Sequence, residues 1–342
     1  MRASFLIPGN LERKTGGYGY DRRVILDAMA QGVTLAPVAL PARFPFPNEP
    51  DRAETVRILK AIVNDAPVLI DGLAFGAFDD AMLDVMPDRV VALVHHPLAY
   101  ENGLAPDVAQ RLKASERAAL ACADAVIVTS AATRDILVDD YAVPADKIAV
   151  ALPGTDEAAF AHGSGEDAPV LIGVGSLTPR KGWSVLIEAL ASLTHQNWRL
   201  IIAGDGPERD ALQSHVASRG LSQRVTFLGE IDDTALAGLY DRADLFILPS
   251  LYEGFGMVLT EAVARGLPCI ATDGVVATQH LPHGAVRVVA ANDSADLSAS
   301  IHNLLDDEER KALAAQARAA AADLQRWTQT AKIIIETLRS VA

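Results

Sequence analysis

The chain has 342 residues, half of them apolar and 22% charged, with a formal net charge of −14. Length and apolar content support two domains with sizeable cores and exclude a disordered chain, and the acidic balance excludes general nucleic-acid binding. Cys122 and Cys269 fall in an Ala-rich helical pattern and an apolar strand pattern, so neither a disulfide framework nor a zinc site is expected.

The apolar run after Met1-Arg2 is too short for a signal peptide, and no stretch is long enough to span a bilayer, so the expected location is cytoplasmic. Short apolar runs alternate with helical patterns along the whole chain, the signature of βα units and parallel sheets. In the first half, strands are predicted at Ser4–Ile7, Val33–Ala36, Val68–Asp71, Val90–Val94 and Ala125–Thr129, with helices at Tyr20–Gln31, Asp51–Asn64 and Ala105–Cys122. The cluster Gly16-Gly17-Tyr18-Gly19 reads as a loop between the first strand and the first helix, where free N–H groups can face an anion. Its spacing is not Gly-x-Gly-x-x-Gly, and no acidic residue closes the second strand, which argues against a nicotinamide site. His95-His96-Pro97 ends the strand Val90–Val94, a position that faces the ligand crevice of a doubly wound sheet. Hydrogen bonding of both imidazoles to loop backbone is the plainer alternative. Glu101 and Ser130 stand near the same sheet end. Arg111, Lys113 and Arg117, with Arg13, Lys14, Arg22 and Arg23, read as a solvated face first and as a patch for peripheral membrane contact second.

The polar, Gly-rich stretch His162–Asp167 is the expected linker. Beyond it, strands are predicted at Val170–Val174, Arg199–Ala203, Val225–Leu228, Leu245–Leu248, Cys269–Thr272 and Arg287–Ala290. Helices are predicted at Trp183–Thr194, Glu208–Arg219, Thr234–Asp241, Met257–Arg265 and Ala295–Leu305, with a helical tail from Asp307. Gly175–Gly182 follows the first of these strands and carries Arg180 and Lys181, two cations able to clamp a pyrophosphate, although a solvated polar turn is the simpler reading. Gly204-Asp205-Gly206-Pro207 is a strand-to-helix turn. The segment Tyr252–Glu261 is the most informative one. It crosses from a buried strand into a helix, with Gly254 and Gly256 at the helix entrance and a carboxylate on each side, Glu253 and Glu261. Open N–H groups there favour phosphate, and the carboxylates can accept hydrogen bonds from sugar or ribose hydroxyls. There is no Asp-x-Asp, no His/Cys cluster with metal spacing and no Gly-x-Ser-x-Gly.

Glu253-x7-Glu261, Gly175…Lys181-Gly182, Gly204-x-Gly206-Pro207, Gly16-Gly17 and His95, in this order along nearly the whole chain, resemble the retaining glycosyltransferases of the GT-B fold, in particular family 4. The resemblance implies an α/β GT-B fold, two doubly wound Rossmann-like domains facing across a cleft. An acceptor-side domain would span 1–160, a nucleotide-sugar donor-binding domain 168–325, and a last helix, 326–342, would cross back onto the first domain. It implies a catalytic set of His95, Glu253, Arg180 and Lys181. Donor binding would fall to Gly16, Gly17, Ser176, Gly204, Gly254, Phe255, Gly256, Met257 and Glu261, with sugar or acceptor contacts from His96, Glu101 and Ser130. Relatives often carry Arg directly after the first glycine of the loop, where this chain has Ser176; Arg180 beside Lys181 would supply that charge. No cofactor and no metal are implied. The partners would be a nucleotide-diphosphate sugar and an unidentified acceptor. The other readings are a GT-B sugar-nucleotide epimerase, which would turn over without acceptor, and a catalytically silent nucleotide-sugar binding protein.

Overall fold

In a computed structural model, residues 1–62, 66–101 and 103–342 are described. The chain divides into two compact units, Met1–Gly154 with Gln325–Ala342 (unit 1) and Thr155–Leu324 (unit 2).

Unit 1 contains, in chain order, β1 (Arg2–Pro8), α1 (Gly16–Ala30), β2 (Thr34–Leu40), α2 (Glu49–Ala61), β3 (Val68–Asp71), α3 (Gly72–Phe75), α4 (Asp80–Leu83), β4 (Val90–Val94), α5 (Pro106–Cys122), β5 (Ala125–Val128), α6 (Ala131–Tyr141) and β6 (Ile148–Val150). The six strands form one sheet in the order β2-β1-β3-β4-β5-β6, all parallel. Strands β3, β4 and β5 are covered on both faces, and so they read in sequence as unbroken apolar runs. Their side chains pack with Phe75, Phe78, Leu120 and Leu137 into the unit 1 core. Local signals set the helix starts. Asn48 and Asp51 form a reciprocal capping box at α2, and Pro106 opens α5. The helix expected over Asp51–Asn64 begins two residues earlier and ends at Ala61; Val63 and Asn64 lie outside the described residues.

Unit 2 contains β7 (Val170–Val174), α7 (Trp183–Ala191), β8 (Arg199–Ala203), α8 (Arg209–Ser218), β9 (Val225–Gly229), α9 (Asp233–Asp241), β10 (Leu245–Leu248), α10 (Met257–Ala264), β11 (Cys269–Thr272), β12 (Arg287–Val289), α11 (Ser294–Leu304) and α12 (Asp307–Ala320). Its sheet runs β12-β11-β10-β7-β8-β9, again parallel. Trp183, Trp198, Leu186, Ile202, Ile247 and Ile301 fill its core. The Gly-rich stretch His162–Asp167 is not where the chain divides. It is pinned to unit 2, where the His162 and Gly163 N–H groups donate to Asp241 O and the Ser164 N–H donates to Asp244 Oδ1.

The helical tail is broken. After α12 a single 3-10 turn precedes α13 (Trp327–Ser340), which packs in unit 1 against α1. Thr330 Oγ1 donates to Leu152 O at 2.6 Å, Tyr20 Oη donates to Ala151 O at 2.9 Å, and the Tyr20 and Trp327 rings meet edge to face at 5.6 Å.

In both units the strand order reverses next to the first strand, between β1 and β3 in unit 1 and between β7 and β10 in unit 2. The carboxyl ends of strands flanking such a reversal form the crevice in which doubly wound sheets bind ligands. The loops after β1, β3 and β4, and those after β7 and β10, are therefore where the site residues are expected.

Candidate active site

In unit 2 the loop after β7 and the loop after β10 meet. Residues Pro179–Lys181 make one 3-10 turn, closed by Gly182 in the left-handed region. That turn aims both cations at Glu253. Lys181 Nζ donates to Glu253 Oε1 at 2.9 Å and to Oε2 at 2.8 Å, and Arg180 donates to Oε2 at 2.8 Å and to Tyr252 O at 2.9 Å. Lys181 is buried, and the Glu253 side chain is 15% exposed. Burial alone would raise the Glu253 pKa, but Lys181 and Arg180 outweigh it and hold the carboxyl below its ordinary range. The triad thus carries two positive charges and one negative charge, a surplus cation next to a helix entrance.

That entrance is the start of α10. Gly256 is its N-cap with φ 100°, and no side chain caps it; the Leu259 N–H donates to Gly256 O at 2.9 Å, so the Met257 and Val258 N–H groups are the ones the first turn offers a ligand. A Cβ on Gly256 would also sit 2.7 Å from Val275 Cγ1. Gly254 lies between Glu253 and Phe255, and Met257 begins the helix. The Phe255 ring does not face the triad openly; it is 8% exposed and stacks on His280 at 6.0 Å. Glu261 is one turn into α10, where its Oε2 accepts from Tyr240 Oη at 3.1 Å. Burial raises its pKa, only partly offset by the Tyr240 bond and by Arg265. Ser176 is exposed and lends its carbonyl to Trp183 Nε1 at 2.9 Å. Gly204 closes β8 against the same loop: a Cβ there would lie 1.9 Å from Gly175 O, so only glycine permits this approach.

In unit 1, His95 follows β4 and sits between two carboxylates. Its Nε2 is 3.0 Å from Asp21 Oδ1 and 3.5 Å from Asp71 Oδ2, and its ring meets Tyr20 edge to face at 5.1 Å. Burial would lower the His95 pKa, but Asp21 and Asp71 raise it to about 10, so the imidazole is a cation at neutral pH. Burial of Asp21 lifts its carboxyl to about 6, with His95 opposing the rise. His96 lies beside it, its ring 6.4 Å from that of Tyr100. Gly17, His95, His96 and Glu101 all line one cavity of about 380 Å³ within unit 1. The cluster Gly16–Gly19 is not a free loop; it forms the first turn of α1, whose N-cap Thr15 makes no side-chain cap.

Ser130 does not line that cavity. It is fully buried as the N-cap of α6, where Oγ accepts from Thr133 N at 3.0 Å. Capping consumes its hydroxyl. Asp21 and Asp71 were not anticipated as partners of His95. The available signal was a carboxylate ending an otherwise apolar strand, Val68-Leu69-Ile70-Asp71, which packing alone does not call for. Ligand atoms of Asp21, Asp71 and His95 lie within 4.8 Å of one another, a spacing that can hold a divalent cation. The His95 nitrogen that would bind it is already engaged by both carboxylates and favours a proton.

Two parallel doubly wound sheets, with cation, carboxylate and open helix end gathered at one switch point, define a two-domain protein of the GT-B fold. The profile of group 1 glycosyl transferases matches residues 154–320 and that of glycosyltransferase family 4 matches residues 21–159. The chain belongs to the group 1, family 4 glycosyltransferases.

Among its relatives, the D-inositol 3-phosphate glycosyltransferase of Nocardia farcinica is 32% identical over 276 residues, 72% of this chain and 61% of that one. Glycogen synthase of Mycobacterium tuberculosis is 35% identical over 205 residues, 58% of this chain and 49% of that one. The chain thus spans about half to three-fifths of the length of these curated relatives. Sucrose-phosphate synthase of Thermosynechococcus elongatus shares the fold with a TM-score of 0.83 and 21% identity over 99% of this chain and 98% of that one. HepE of Anabaena, solved with UDP and glucose, does so with a TM-score of 0.77 and 20% identity over 99% of this chain and all of that one.

Proposed function

We propose that the protein transfers a sugar from a nucleotide-diphosphate donor to an acceptor hydroxyl with retention of anomeric configuration. One observation carries this reading: buried Lys181 and half-buried Arg180 and Glu253 form a triad with surplus positive charge beside the uncapped start of α10. Loosening the anomeric bond leaves charge on the departing diphosphate, and fixed cations with helix N–H groups stabilise such charge most when water is excluded. Lys181, Arg180 and the α10 entrance serve the diphosphate. A donor's phosphates compete with Glu253 for the two cations, and Glu253, so released, accepts from sugar hydroxyls. Glu261, one turn on, accepts from ribose. His95 is assigned to the transferred sugar. The acceptor hydroxyl attacks on the face the leaving group departs from, so no protein nucleophile is needed.

Nucleotide sugars, with UDP-glucose first because a fold relative is solved with UDP and glucose, should raise the melting temperature by mass action. Proton NMR of the product should show the donor's anomeric configuration kept. An inverted product, or no stabilisation by any nucleotide sugar, would overturn the proposal.

Phosphate held by side chains and backbone needs no bridging cation. Donor turnover should therefore persist at full rate in EDTA. Loss of activity restored by Mn²⁺ or Mg²⁺ would remove the diphosphate from Arg180 and Lys181, and would make the Asp21–Asp71–His95 cluster the first place to search for the ion.

A further inference from the structure

The unit 1 cavity has a composition that narrows the acceptor, given the transfer reading above. Its body is apolar: Tyr18, Leu98 and Leu112 are each less than a tenth exposed, and Leu73 closes the wall beside Asp71. Its polar groups gather at His95, His96, Asp71 and Glu101. Among the described lining residues there is no lysine or arginine. The uncapped first turn of α1, which Thr15 and Gly17 bring to the lining, is the feature that favours an anion, and it is opposed by the lining carboxylates. Two carboxylates line the cavity, and His95, its cationic neighbour, is already balanced by Asp21 and Asp71. A volume of about 380 Å³ is at the small end of ligand pockets and excludes a folded partner.

The mouth carries a second sign. Phe46 is 57% exposed, a large apolar ring left in solvent. With Pro45 and Leu112 it also lines an adjoining cavity of about 410 Å³. An exposed aromatic ring between two recesses gives an apolar ligand a surface to cover.

We infer that the acceptor is an uncharged, hydroxyl-bearing molecule with a compact apolar body, seated in this cavity with its hydroxyl toward Asp71 and His95 and its body against Leu98, Leu112 and Phe46. The acceptor is thus of a different chemical class from the inositol phosphate that one relative's name records.

The test uses the whole 342-residue chain and 2-naphthol as probe, with 2-naphthyl phosphate and D-glucose 6-phosphate as charged counterparts. Calorimetric titration should show saturable binding of 2-naphthol. Binding of 2-naphthyl phosphate should be about tenfold weaker or less, and glucose 6-phosphate should not bind, as carboxylates facing an anion require. Phe46→Ala, at an exposed position that the fold tolerates, should weaken 2-naphthol by about tenfold through lost apolar contact. Glu101→Lys should narrow the gap between naphthol and its phosphate. Equal binding of the two, a silent Phe46→Ala, or tight binding of glucose 6-phosphate would overturn the inference. UDP-glucose stabilisation, measured on the same protein, separates the two readings. If the donor binds and 2-naphthol does not, this acceptor class falls and sugar transfer stands. If 2-naphthol binds and no nucleotide sugar does, the cavity keeps its ligand class and its role as an acceptor site falls.

Discussion

Replacing Lys181 with alanine should lower kcat by about a hundredfold or more while changing the donor's KM far less, because the proposed transfer gives Lys181 a contact that strengthens as charge grows on the leaving diphosphate. The position is fixed from three directions. The residue ends a 3-10 turn, Gly182 closes that turn in the left-handed region, and Nζ bonds both Glu253 oxygens. A flexible surface lysine would lose ordering entropy on binding; this one has lost it on folding. The same bonds complicate the variant, since Lys181→Ala leaves Glu253 buried with Arg180 as its remaining cationic partner. Melting temperature therefore has to be recorded beside the kinetics, because the variant removes both Lys181 hydrogen bonds from Glu253 and leaves the Arg180 pair to hold it. Glu261→Ala gives the contrast. On the proposed reading Glu261 serves ribose, which does not change during the reaction, and Tyr240 retains Val258 O as an acceptor at 3.3 Å, so the variant should chiefly raise KM. A Lys181→Ala enzyme with unchanged kcat and a raised KM would place the growing charge elsewhere.

How much of this was legible in the sequence depended on which physical signal each part left. Strands β3, β4, β7, β8, β10 and β11 appear with the bounds expected; all but β8, which starts at exposed Arg199, are buried almost throughout, and strands buried on both faces read as apolar runs. The edge strand β6, Ile148–Val150, left no such run: it is three residues long and half-buried, and it merged with the segment that follows. Gly16–Gly19 concealed the start of α1, since glycine is a poor helix former and only packing holds it there. The tail read as one helix because Ala321–Arg326 contains neither Pro nor Gly, yet the chain breaks there and Trp327 begins an element of the other unit. Lys181, Arg180 and Glu253 were legible as separate residues of two loops. That they form one ion triad was not, because β7 and β10 are adjacent only through the strand-order reversal. Asp21 and Asp71 were missed for the same reason: one lies in a helix and one ends a strand, and only the fold brings both to His95.

The other large effect concerns stability and pH, and its source lies outside the candidate site. Glu116 in α5 is 1% exposed, its Oε2 accepts from Leu98 N at 3.0 Å, and its Oε1 has no well-formed hydrogen bond among the described residues. Burial raises its pKa to about 8, with the nearby Tyr141 hydroxyl and the Leu98 N–H opposing only in part. A folded-state pKa above the unfolded value means that the native protein holds this proton more tightly than the unfolded chain does. The stability that follows is fully present below the unfolded value near 4.5 and is lost as pH rises through about 8. A shift of this size corresponds to roughly 3–5 kcal/mol between pH 5 and pH 9. Asp21 and His95, both raised, lose stability in the same direction, from 3.8 to about 6 and from 6.5 to about 10, so the wild-type curve sums all three. Glu116→Gln isolates one of them. Its amide keeps an oxygen for Leu98 N, has the shape of the protonated acid and carries no charge to desolvate. Urea unfolding read by hydrogen exchange in β4 and β5 should show the variant within about 1 kcal/mol of wild type at pH 5.5 and clearly more stable at pH 8.5. Parallel pH curves for the two proteins would mean that the Glu116 carboxyl titrates alike in the folded and unfolded chains, and would remove burial as the force acting on it.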